Sequence, residues 1–163
     1  MSNFARLMRY LSFVTILLFS ASCADPTELT EVERGRVIAD VRAMLHQYDD
    51  DVRTNGLLAE FAYLDSSEDF FWVPPGYNSP LSYDSVAVII RKNAALLRSV
   101  DNVWDSLRII PHSGSLATFT GNITSRSVDT SGNVTTVRLI ETGLAVRRVD
   151  GWKLLSGQTS ILQ

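Results

Sequence analysis

The chain has 163 residues, 45% of them hydrophobic and 20% charged, with 15 Lys and Arg against 18 Asp and Glu for a formal charge of −3. That length suits one ordinary domain behind any leader, and the acidic balance argues against nucleic acid as a partner. A single cysteine, Cys23, excludes an internal disulfide and a multi-thiolate metal centre, and with only His46 and His112 a three-histidine metal site is impossible.

The N-terminal segment reads as an export signal. Arg6 and Arg9 give it a basic start, and Leu11 to Ala21 supply eleven mostly apolar residues that end in Ser20, Ala21 and Ser22. The run is short for a membrane span. Small residues leading to a cysteine, as in "FSASCADP", resemble the lipobox of bacterial lipoproteins, although Ser20 stands where an aliphatic residue is usual. The resemblance implies a leader over 1–22, acylation of Cys23 and a tether over 23–29 before a domain at 30–163. Ala24 follows the cysteine without an adjacent aspartate, which leans toward the outer membrane of the bacterial envelope. The rival reading is ordinary cleavage after Ala24, giving a soluble secreted or periplasmic protein. Without Arg6 and Arg9 the balance is 13 basic to 18 acidic residues, a net of −5.

Thr30 and Glu33 offer a capping box for a first helix, with Val37, Ile38, Val41, Met44, Leu45, Tyr48 and Val52 at helical spacing. Asp49-Asp50-Asp51 lacks the alternating ligand spacing of a calcium loop and reads as a solvated run. After the breaking pair Asn55-Gly56, Leu57, Leu58, Phe61, Ala62 and Leu64 suit a short second helix. Phe70 to Val73 form an aromatic strand that Pro74 and Pro75 stop. Ser82 or Asp84 caps a third helix whose stripe runs through Val86, Ile89, Ile90, Leu96, Leu97 and Val100. Four strands follow, Val103 to His112, Leu116 to Val128, Val134 to Val149 and Trp152 to Leu162, with a two-residue Asp150-Gly151 turn before the last. Helices first and a meander last is an α+β order.

Three stretches, "DFFWVPPGY", "LSYDSVAVIIRK" and "RRVDGWKLLSGQTS", resemble in order and spacing the NTF2-like superfamily, in its SnoaL-like and ketosteroid-isomerase-like branches. The resemblance implies helices packed on a strongly curved antiparallel sheet, a cone with one internal pocket, and often a homodimer. It implies no particular reaction, since one fold hosts many.

Counting outward from a turn that pairs Val149 with Trp152 places Trp152, Leu154, Ser156, Gln158 and Ser160 opposite Val149, Arg147, Ala145, Gly143 and Glu141 on one face. Small residues with Glu141 and Gln158 among them suit a pocket floor. A bulge at Gly143 would take Glu141 off this face, and an inverted face would leave Thr142, Leu144 and Thr159 instead. Tyr48, Trp72, Tyr77, Trp104 and His112 join the candidates, with core packing as the competing role for Trp72 and Trp104, and plain exposure for His112. In the ketosteroid-isomerase pattern a catalytic carboxylate precedes the proline that ends the first strand, and here that place is Val73.

No nucleotide or phosphate-loop motif is present and no cofactor is expected. Two functions stand. One is a lipid-anchored envelope module that binds a small apolar or amphipathic molecule, or a protein partner, without catalysis. The alternative is a cofactor-independent acid–base enzyme, an isomerase, cyclase or lyase, with Glu141, His112 or Tyr48 handling the proton.

Overall fold

The computed structural model describes residues 28–162. The expected leader and Cys23 lie outside the described residues. Helix α1, Glu31–Asn55, opens on Thr30, whose side chain accepts from the Glu33 amide while Glu33 reaches back to the Thr30 amide. It buries Val37, Val41, Met44, Leu45, Asp49 and Val52, a stripe of three- and four-residue steps. Gly56 ends it with a φ of 82°, a backbone region that glycine reaches without a Cβ penalty.

The short second helix is a 3₁₀ helix, Leu57–Ala62. Strand β1 is Phe71–Val73 and helix α2 is Tyr83–Leu96, with Ser82 at its N-cap position. The stripe expected for this helix overran its end: the chain turns directly into β2, Leu97–Ser113, so Leu97 and Val100 belong to a strand. The partner strand β3, Leu116–Asp129, extends far enough for Leu97 to pair with Asp129, and that pairing captures the segment. Strands β4, Val134–Arg148, and β5, Gly151–Ile161, complete the sheet.

The five strands lie in the order β1-β5-β4-β3-β2. The four long strands pair antiparallel, and β1 adds to the edge of β5 in parallel, Trp72 opposite Gly157. Irregularities at Leu97/Ser99, Trp104/Ser106 and Pro111/Ser113 break the β2 ladder, and such breaks bend and twist a long strand. The concave side packs on α1: Val37, Val41 and Leu45 meet Phe119, Ala117, Ala145, Trp152 and Leu154 in one buried cluster. The fold is the α+β cone, with a helix layer over a curved mixed sheet.

The last hairpin differs from expectation in two steps. Arg148 pairs with Gly151, so the loop residues are Val149 and Asp150, one position earlier than the Asp150-Gly151 turn. A shift of this kind leaves Trp152 and Leu154 on the same face as Ala145. Farther on, Leu154 pairs with Ala145 but Ser156 pairs with Leu144, leaving Leu155 as an extra residue. This bulge reverses every later side chain of β5. Gly157 and Thr159 therefore turn inward, while Gln158 is exposed.

Candidate functional site

A cavity of about 300 Å³ opens between the helices and the concave sheet. Leu57, Leu64, Val86, Ile89, Ile90 and Leu139 make much of its apolar wall, with Trp72, Pro74 and Pro75 along the β1 edge. Tyr48, Glu60, Glu141, Asn102, Thr159, Ser125 and Ser127 supply polar atoms. No Lys, Arg or His lines it among the described residues.

Each polar residue is placed by a local feature of the chain. Glu141 is inward by alternation along β4, between Leu139 and Gly143. Thr159 faces it because of the Leu155 bulge, and the two residues are directly paired. Glu60 shares a face with Leu57 because side chains three apart eclipse in a 3₁₀ helix. Tyr48 comes from α1, and Gly157 leaves the space that the Trp72 ring fills: a Cβ there would lie 2.7 Å from that ring and 2.5 Å from the Thr142 carbonyl oxygen.

A directed hydrogen-bond chain crosses the floor. The Trp72 indole donates to Thr159 Oγ1 at 3.0 Å, and Thr159 donates to Glu141 Oε2 at 2.9 Å. Indole N–H can only donate, so the one hydroxyl proton of Thr159 is left for the carboxylate. The chain holds Glu141 in place and favours its charged form. Burial works against this and is the larger effect, pushing Glu141 up to about 7, with the Asp49 charge adding to the rise.

Two further carboxyls share that field. Burial lifts Glu60 to about 8, and the charge of Glu141 raises it further, while the neighbouring Tyr48 hydroxyl favours the charged form. Burial also lifts Asp49 to about 7; the side chains of Asn102 and Trp104 pull it back, and the charges of Asp50 and Asp101 push it up. Asp49 Oδ2, Asn102 Oδ1 and Trp104 Nε1 are nevertheless buried without a hydrogen-bond partner of good geometry. Glu60, Glu141 and Tyr48 are only partly covered by protein atoms because their open side is the cavity itself. Burial raises the Tyr48 hydroxyl well above its ordinary value, keeping it a neutral donor.

Among the residues singled out from sequence, the cavity brings together Tyr48, Trp72 and Glu141. Trp104 lies beside Asp49 and packs edge-on against Phe119, with ring centroids 6.2 Å apart. Three candidates are corrected. Gln158 is exposed on the outer face, where it lines a groove with Val73 and Thr142, and the Leu155 bulge is the reason. Tyr77 is exposed on the loop after β1. His112 is exposed at the end of β2, its Nε2 2.6 Å from Thr118 Oγ1. Val73 also belongs to that outer groove. The sequence reading missed Glu60 and Asn102, placed Asp49 in a solvated run although it is buried, and held Thr159 only for an inverted face. Asp49 had a legible signal: it stands four residues after Leu45 and three before Val52, on the buried stripe of α1. Among the described residues no group of three or more His, Cys, Asp and Glu is arranged to hold a metal ion.

No family model matches this chain, and no curated protein matches it. Solved structures do. An NTF2-like superfamily protein from Salmonella enterica serovar Typhimurium superposes with a TM-score of 0.68 at 11% identity, over 79% of this chain and 93% of its own. A type 2 hexachlorocyclohexane dehydrochlorinase gives 0.66 at 11% identity, over 82% and 90%. A candidate scytalone dehydratase from Novosphingobium aromaticivorans gives 0.66 at 12% identity, over 77% and 84%. The concave sheet and its α1 cover are those of an NTF2-like fold, and at these identities the likeness establishes the fold alone.

Proposed function

We propose that the protein is an exported, lipid-anchored module that holds a small, mostly apolar molecule with one hydrogen-bonding head in its cone. The observation that carries this reading is the cavity: about 300 Å³, walled by aliphatic and aromatic side chains, with convergent polar groups fixed by the Trp72–Thr159–Glu141 chain. Small-molecule sites have this composition. Native mass spectrometry of the full chain taken from its own envelope tests it. The expected result is a bound small molecule that is lost when the cavity is filled by Ile90→Trp. A chain that carries nothing, and whose Trp72 fluorescence no amphiphile changes, would refute it.

The anchor is supported by the sequence around Cys23. Labelled palmitate should enter the protein and fail to enter Cys23→Ser; a mature N-terminus at Asp25 would instead establish ordinary cleavage. A homodimer through the outer sheet face is supported by the exposed Phe71, Val103, Ile110 and Ile140. Light scattering showing only monomer at tens of micromolar would reject it.

A second reading has its own observation. Glu141 and Asp49 at about 7 and Glu60 at about 8 are poised near neutral pH, where a general acid or base works best. This supports the acid–base alternative, with Glu141 as the base because it faces the cavity and is rigidly held. His112 lies outside the cavity, which favours Glu141 over it. If the module is an enzyme, Glu141→Gln abolishes turnover while ligand still binds.

A further inference from the structure

The charge of the ligand can be read from the charges that already surround it. Two carboxyls face the polar part of the cavity, Glu60 from the 3₁₀ helix and Glu141 from β4, beside the neutral Tyr48 hydroxyl from α1; Asp49, buried on α1, adds its charge to their field. From β2 comes the neutral Asn102, from β3 Ser125 and Ser127, from β5 Thr159, and from α2 Asn93. Asp50 and Asp101 add negative field behind Asp49. Two nearby cations have other partners. Arg53 lies 2.7 Å from Asp50 and 3.9 Å from Asp101, and the Arg91 guanidinium lies over the Phe61 ring, 4.9 Å from its centroid.

Two acceptors stand at this polar end: Glu141, whose Oε2 accepts from Thr159, and Asn102, whose Oδ1 is buried without a donor. No Lys, Arg or His lines the wall among the described residues. Resting on the small-ligand reading above, we propose that the cavity takes a cationic amphiphile, a protonated amine or quaternary ammonium on an aromatic or aliphatic body, with the cationic head at the end shared by Glu60 and Glu141 and the body along the aliphatic wall. Trp72 and Tyr48 also line the cavity, and an aromatic face turned to such a head attracts it, a contact that desolvation strengthens. An anion would find no Lys, Arg or His on the cavity wall among the described residues to pair with. With the cation in place, the carboxyls ionise and shed protons, so binding is coupled to proton release.

The test compares three soluble probes, each a phenyl ring on a two-carbon arm, with the full chain: phenethylammonium, 2-phenylethanol and 3-phenylpropanoate. Titration calorimetry at pH 8.5 should show the ammonium binding at least tenfold tighter than the alcohol, and the propanoate weakest. Repeating the ammonium titration at pH 6.0, where the probe keeps its charge, should weaken it by tenfold or more while the alcohol changes little. At an intermediate pH, buffers of different ionisation enthalpy should report protons released. Glu60→Gln with Glu141→Gln should remove the ammonium preference but keep alcohol binding, which also shows that the variant is folded. If alcohol or propanoate binds as well as the ammonium, the cation proposal is wrong and the small-ligand reading stands. If none of the three binds, both fall.

Discussion

Thr159→Val probes the floor of the cavity with little change of shape. Thr159 is buried at 8% exposure and bridges two side chains that have no other partner for the atoms concerned: Trp72 Nε1 and Glu141 Oε2. The variant orphans the indole N–H at every pH, which costs about 1–3 kcal/mol. It also removes a bond to the carboxyl, worth about 0.5–1.5 kcal/mol when the partner is neutral and about 1.5–3 kcal/mol when it is charged. Glu141 changes from one form to the other near pH 7. Urea unfolding should therefore show a loss of about 2–3 kcal/mol at pH 5.5 and about 1 kcal/mol more at pH 8.5, since only the charged bond gains the difference. Trp72→Phe in the same background should recover part of the loss, because the orphaned donor is then gone as well. A loss below about 0.5 kcal/mol, within the range of surface substitutions, or one of equal size at both pH values, would show that this chain of bonds does not form.

Three other outcomes are expected. Asp49, Glu60 and Glu141 stand at about 7, 8 and 7 in the folded chain against ordinary values of 3.8, 4.5 and 4.5, so between roughly pH 5 and 8 the folded state holds protons that the unfolded state has released. Unliganded stability is fully present below that window and falls as pH rises through it; urea midpoints that stay flat or rise between pH 5 and 8 would contradict this, and Glu60→Gln with Glu141→Gln should flatten the profile. Gly157→Ala, with its Cβ 2.5 Å from the Thr142 carbonyl oxygen and 2.7 Å from the Trp72 ring, should lose about 1–3 kcal/mol by overcrowding, whereas Gly35→Ala, with nothing within 4 Å, should gain about 0.5–1 kcal/mol in thermal or urea unfolding. Gln158→Leu should leave binding of any cavity ligand within twofold by calorimetry, since its side chain is on the outer face; a tenfold loss would restore the straight register for β5.

Much of the fold was legible because its signals are local. Thr30 and Glu33 are three residues apart and close their box within one helical turn. The breaks at Gly56, Gly132 and Gly151 mark positive-φ positions that belong to single residues. The boundary between α2 and β2 was less legible, since Leu96, Leu97 and Val100 continue a helical spacing. What ends the helix is the length of β3, about thirty residues downstream, which offers a ladder as far as Asp129. A competing tertiary pairing of that kind leaves no mark on the segment it captures.

The site depended on two decisions of the same non-local sort, and they came out oppositely. The face of Glu141 follows from alternation along an unbroken β4, so counting from the hairpin reached it even though the turn lay one position away from the expected place. The face of β5 depends on one extra residue, and Leu155 is no glycine and carries no turn signal, so counting carried Gln158 inward and left Thr159 outside. The bulge exchanges an amide for a hydroxyl, and that exchange matters chemically. A glutamine opposite Glu141 would offer the ligand two donors of its own. Thr159 has one proton and has spent it on Glu141 while accepting from Trp72. Its proton is thereby unavailable to a ligand. With Glu60 on the cavity face of the 3₁₀ helix and Glu141 on β4, two carboxyls converge where no Lys, Arg or His among the described residues lines the wall, and Asp49 on the buried stripe of α1 adds its charge. Such an arrangement is costly when empty, and its cost falls when protons or a cation enter.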